Sequence, residues 1–151
     1  GLAPEEIEAV LAQELGHFRL KHVVKRIVCT SAASLVFLAL LGFLKNESWF
    51  YAGLGITPDL ASNAVALVLF ALTLPIFTFF LSPLLSMGSR KHEFEADDFS
   101  ARHTDAGPLV SALVKMYEDN ESTLTPDPLH SAFYDSHPPA SIRINHLLRH
   151  S

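Results

Sequence analysis

Gln13-Glu14-Leu15-Gly16-His17 decides how the rest of the chain is read. Had position 13 been histidine, the stretch would be His-Glu-x-x-His. On a helix, the i, i+4 spacing puts the two imidazoles on one face, where they grip a zinc ion, and the glutamate beside the first activates a water. Glu14 and His17 stand where that pattern wants them, and a glutamine stands at the first ligand. A Gln-Glu-x-x-His pentapeptide is weak by itself, because solvated helices carry Glu and His routinely.

Working outward, residues 4–26 read as one helix. Pro4 suits its first turn, and Glu5, Glu6 and Glu8 favour the positive end of its dipole. Ile7, Val10, Leu11, Leu15 and Phe18 recur at helical spacing and predict its packing face. Two uncharged apolar blocks follow, Ile27–Leu44 and Ala61–Leu85. A bilayer core takes about 20 apolar residues as a helix, and core helices of soluble proteins usually keep a polar stripe. These blocks lack one, so 27–44 and 63–85 are candidate transmembrane helices. Neither is a signal peptide, since a long charged helix precedes the first and no small-residue cleavage site follows it. Lys21, Lys25 and Arg26 precede the first span, and Arg90 and Lys91 follow the second. The loop between them carries one lysine with Glu47 and Asp59. The positive-inside rule then places both ends in the cytoplasm and the loop outside. The expected protein is integral to a membrane and multi-pass. The chain starts at Gly1, just before the motif helix, and reads as the C-terminal part of a larger membrane protein with earlier spans.

At 151 residues the length suits a single domain, residues 1–151. A net charge of −5 without a basic patch excludes nucleic acid as a natural partner. The single cysteine, Cys29, offers no intramolecular disulfide. Gly53, Gly55 and Pro58 break the outer loop, and Pro75 lies inside the second span, where a kink is tolerated. A charged helix resumes over 86–103. Asp105 caps another, with Pro108 in its first turn and Leu109, Val110, Leu113, Val114 and Tyr117 on its face. The Pro, Ser, Thr and Asp residues of 120–139 predict an ordered loop, and a last helix runs over 140–149. No strand pattern has weight, and the predicted fold class is all-α.

The segment Ser89-Arg90-Lys91-His92-Glu93-Phe94-Glu95-Ala96-Asp97 supplies what the first helix lacks. A hydrolytic zinc wants three protein ligands and an open position for water. Glu93 and Asp97 share a face at i, i+4. Glu93 suits the metal, and Asp97 suits orientation of a ligand from the first helix. The two segments flank the apolar pair and emerge on the same side of the membrane. His22 and His92 sit at offsets that match no familiar third-ligand spacing.

LAQELGHFRLKH, a transmembrane pair, SRKHEFEAD and then SHPPASIR together resemble the membrane zinc endopeptidases that comprise the type I CAAX prenyl proteases and the bacterial heat-shock membrane protease. LTPDPLHSAF is closer to the CAAX prenyl protease branch. The resemblance covers nearly the whole chain. It implies zinc-metallopeptidase helices flanking a two-helix transmembrane hairpin, one Zn2+ per chain, and a peptide or membrane-protein substrate met at the lipid bilayer. It implies Glu14 as general base and later proton donor, and His17 and Glu93 as zinc ligands. Asp97 would stand behind the ligands. His137 would stabilise the oxyanion, and Arg143 would hold its loop by pairing with an acid. The family's first ligand falls on Gln13. An amide oxygen is a poor zinc ligand beside imidazole, and two outcomes stay open. Zinc binding fails and the chain is a pseudoprotease, or the Gln13 oxygen faces the metal while its NH2 donates to Asp97.

Overall fold

The computed structural model describes residues 1–119, 127, 130, 131, 133, 135 and 137–150. Regular structure among them is entirely helical: α1 (Pro4–Arg19), α2 (His22–Leu44), α3 (Ser48–Gly53), a 3-10 turn (Pro58–Leu60), α4 (Asn63–His103), α5 (Ala106–Asp119) and α6 (Ala140–His150). The loop expected over 120–139 lies mostly outside the described residues. The chain forms two compact units. One comprises Gly1–Val23 with Ser82–Ser151, and the other Val24–Leu81.

The helix expected over 4–26 is two helices. Leu20 and Lys21 close α1 through bonds from Leu20 N to Gly16 O and from Lys21 N to Phe18 O. Lys21 then adopts φ 58°, a left-handed conformation that a helix cannot continue through. His22 starts α2 and is buried.

The expected packing face of α1 is also corrected. Leu11 is 63% exposed, Phe18 79%, Leu15 55% and Ile7 47%, and of the expected face Val10 alone packs against the core. The buried stripe is Glu6, Ala9, Gln13 and Gly16. Two physical reasons select it. Small residues let helix backbones approach, and a Cβ added at Gly16 would sit 3.0 Å from Phe99 Cβ and 3.2 Å from the Ala96 Cα. The polar members are each bonded. Glu6 accepts from Ala3 N at 2.7 Å, from Lys115 Nζ at 2.9 Å and from the Ser111 hydroxyl. Ser100, fully buried on α4, donates to Ala9 O at 2.7 Å. Periodicity reports where apolar residues recur, and here contact distance and hydrogen bonding chose another face.

The core of this unit is Ala9, Ala106, Leu109, Leu113 and Leu147, with Val10, Ala101, Val110, Met116 and Ile144 packed against it. It draws on α1, α5 and α6 together. α5 buries Ala106, Leu109, Ala112 and Leu113, which agrees with the expected face at Leu109 and Leu113.

In the second unit, Phe50, Tyr51 and Ala66 form a smaller core with Leu41, Leu44, Ile56, Val65 and Leu69 around it. The outer loop is more regular than expected, since it holds α3 and the 3-10 turn. The Tyr51 hydroxyl donates to Lys45 O at 2.8 Å and ties the loop to the end of α2. α4 runs unbroken through Pro75 and Pro83, so the second apolar block and the expected charged helix are one element of 41 residues. α2 and α4 are each long and apolar enough to cross a membrane. Leu35, Leu72, Phe77 and Phe80 on these helices are each more than 60% exposed. A continuous apolar surface of this kind marks contact with something other than water.

Candidate metal centre

All the candidate site residues, Gln13, Glu14, His17, Glu93, Asp97, His137 and Arg143, lie in the unit formed by Gly1–Val23 and Ser82–Ser151. α1 carries Gln13, Glu14 and His17, with Gln13 buried, His17 half-buried and Glu14 exposed. α4 carries Glu93 and Asp97 one turn apart, both buried. His137 lies exposed just before α6, and α6 carries the buried Arg143. The Gly16 crossing of α1 against Ala96 and Phe99 brings the two carrier helices together at this level.

Glu93 is the hub. Its Oε1 is 3.7 Å from His17 Nε2 and 2.9 Å from His137 Nδ1. Its Oε2 accepts from Gln13 Nε2 at 3.3 Å and lies 3.3 Å from Arg143 Nη1. The Gln13 amide therefore donates to Glu93 and not to Asp97. Asp97, 0% exposed, takes two parallel bonds from Arg143, one of them from Nε at 2.8 Å. This fork fixes the plane of both groups. Burial opposes the Arg143 charge, but the bonds to Asp97 and the nearby Glu93 outweigh it and hold the guanidinium above its ordinary pKa. Burial pushes the Asp97 carboxyl up while the bonds from Arg143 pull it back, and the two-bond fork makes the pair a strut behind Glu93.

The donors can be tested against zinc. Two ligand atoms of a tetrahedral zinc with bonds near 2.0–2.1 Å stand roughly 3.3 Å apart. His17 Nε2 and Glu93 Oε1 are within half an ångström of that separation. One imidazole and one carboxylate fit zinc, and the third place belongs to an amide, a weak donor. The set offers an ion two strong ligands, with the Gln13 NH2 turned to Glu93 at the third place.

A neighbouring cluster escaped the sequence reading. His22, His92 and Glu95 each offer a ligand atom, all within 4.8 Å of one another. His22 Nε2 is 3.0 Å from Glu95 Oε2, and the His22 and His92 rings stack with centroids 4.2 Å apart. The other His22 nitrogen, Nδ1, is 3.0 Å from His17 Nδ1. In one continuous helix, residues 17 and 22 would face about 140° apart. The left-handed turn at Lys21 removes that separation. The legible signal was the i, i+3 spacing of His92 and Glu95 on one helix face. The Lys21 break was not legible.

With this geometry in view, comparison with known proteins is decisive. The profile of peptidase family M48 matches residues 2–151. The chain belongs to peptidase family M48. Among M48 relatives, it is 33% identical over 147 residues to the human CAAX prenyl protease 1 homolog, covering 97% of this chain and 31% of that protein. It is 34% identical over 142 residues to the Arabidopsis thaliana homolog, covering 93% and 32%. Identity to CAAX prenyl protease 1 of Saccharomyces cerevisiae is 28% over 156 residues, covering 95% and 34%. The chain thus spans about a third of the length of the curated relatives it matches. The crystal structure of S. mikatae Ste24p superposes with a TM-score of 0.80 at 27% identity, over 96% of this chain and 36% of that one.

Proposed function

We propose that this chain is the zinc-binding part of a membrane metalloendopeptidase that hydrolyses peptide bonds at the cytoplasmic membrane face. The observation that carries the reading is the meeting of His17 and Glu93 across α1 and α4 at 3.7 Å, with Glu14 beside His17 on the same helix. His17 and Glu93 hold the ion, and Gln13 occupies the place of a third ligand. When bound, zinc supplies a water of lowered pKa and a polarised scissile carbonyl. Glu14, exposed on α1, takes the proton from the attacking water and passes it to the departing amine. His137 donates to the oxygen on which negative charge develops. The Asp97–Arg143 strut positions Glu93. The names of the relatives support prenylated CAAX-type peptides as substrates, with membrane proteins as the broader class. The lysines and arginines at the ends of the apolar segments support a bilayer-embedded, multi-pass setting with the site on the cytoplasmic side.

One observation favours a second reading, a pseudoprotease that binds membrane clients without hydrolysis. Gln13 turns its NH2 to Glu93, so it donates where a ligand must accept. The test is zinc content and cleavage of a prenylated CAAX peptide, measured on the unaltered chain and on Gln13→His. The peptidase reading expects chelator-sensitive cleavage in the unaltered chain, enhanced in Gln13→His and abolished in Glu14→Gln with metal content unchanged. Zinc and cleavage confined to Gln13→His would establish the pseudoprotease.

A further inference from the structure

His22, His92 and Glu95 stand apart from the catalytic reading and have the makings of a site of their own. Their donor atoms come from two chain segments, the start of α2 and one face of α4. His22 is only 4% exposed, and a buried imidazole with both nitrogens engaged is held in a fixed orientation. Its Nε2 faces Glu95 at 3.0 Å, and its Nδ1 faces His17 at 3.0 Å. The His17 and His22 rings meet edge-on with centroids 5.0 Å apart. His92 and Glu95 are only partly buried, so their side chains can swing through the short distance that a common cation requires. Two imidazoles and a carboxylate match the donor set of zinc-class divalent transition ions. Magnesium and calcium, which want oxygen, are disfavoured.

We propose that His22, His92 and Glu95 form a second divalent-metal site beside the His17–Glu93 centre, taking zinc or a similar transition ion. The contact between His17 and His22 links the two. A neutral imidazole that binds metal through Nε2 carries its hydrogen on Nδ1. The two Nδ1 atoms face each other at 3.0 Å, which leaves room for one hydrogen between them. The sites therefore load as alternatives, and the chain carries one ion at a time. The cluster offers three donors, and the peptidase reading rests on the fraction of chains whose ion sits at His17–Glu93 instead. The second site stands whether or not His17–Glu93 is catalytic.

The experiment loads the full chain in detergent with Zn2+ and, separately, Co2+. It reads metal per chain by elemental analysis and native mass spectrometry, and ligand field by Co2+ absorption. The variants are Glu93→Gln at the first centre, and His92→Ala and the near-isosteric Glu95→Gln at the second. Circular dichroism checks that each is folded. The expected result is one ion per chain, kept in Glu93→Gln, with affinity lowered at least roughly 10–100-fold in both second-site variants. Loss in Glu93→Gln with full loading of His92→Ala and Glu95→Gln overturns the second site and leaves the catalytic reading standing. Loss in all three variants, or no loading of the unaltered chain, overturns it too. Retention in Glu93→Gln without any peptide cleavage by the unaltered chain supports the second site and counts against the peptidase alone.

Discussion

Removing Asp97 and Arg143 together should cost clearly less than the sum of removing each alone. Arg143 is 6% exposed, and both of its bonds to Asp97 lie in the interior. Breaking a buried ion pair by neutralising one partner costs about 3–5 kcal/mol, because the other charge is left without compensation. Two features here lower that figure. Arg143 Nη1 keeps Glu93 at 3.3 Å, and an asparagine at 97 still accepts one hydrogen bond, a contribution near 1 kcal/mol. Asp97→Asn should therefore cost about 2–4 kcal/mol. Arg143→Gln should fall in the same range, since it strands Asp97 beside Glu93. In the double variant neither stranded charge remains, and its cost should fall short of the summed singles by about 2–3 kcal/mol, near the upper end of couplings seen for contacting pairs. The assay is chemical denaturation in detergent followed by far-UV circular dichroism on the four proteins of the cycle. Additivity within about 0.5 kcal/mol would refute the strut.

Two further outcomes follow from neighbouring contacts. Lys115, Ser111 and the Ala3 N–H hold the Glu6 carboxyl down at about 2, against an ordinary 4.5. A carboxyl whose pKa is lower when folded adds stability that is complete above its unfolded pKa and vanishes as pH falls through the folded one. The unaltered chain should lose stability between pH 4.5 and 2, and Glu6→Gln should start less stable and show a flatter profile there. Superimposable acid-unfolding curves would remove Glu6 from the account. At Gly16, valine would drive Cβ to 3.0 Å from Phe99 and 3.2 Å from Ala96, an overpacking cost of about 1–3 kcal/mol. Gly88, in mid-helix with open space around it, should accept alanine with a gain of up to about 1 kcal/mol. Equal effects of the two substitutions on denaturation midpoint would contradict the close crossing.

Much of this was legible in the chain, and the failures have physical causes. The uncharged runs announced α2 and the first part of α4, because a helix that lacks a polar stripe has few other uses. The i, i+4 spacing of Gln13 with His17 and of Glu93 with Asp97 announced two helix faces that share a centre. The face of α1 was misread because five apolar residues at helical spacing outweigh a stripe of Glu6, Ala9, Gln13 and Gly16. That stripe makes sense only with Ser100, Ser111 and Lys115 as its partners, residues some 90 to 109 positions away. The helix break fell on a lysine, a residue with no preference for the left-handed region. With it went the position of His22 and the whole second cluster. Pro75 marked a place where a kink is tolerated, and α4 runs through it without interruption.

The crossing at Gly16 and Ser100 bears on how such a chain can change over generations. A missing side chain, one hydroxyl and one carbonyl hold α1 against α4 there, and none of them is a metal donor. Replacement at position 13 leaves that junction intact, so a change of side chain there can spare the packing of α1 against α4 and leave the protein folded.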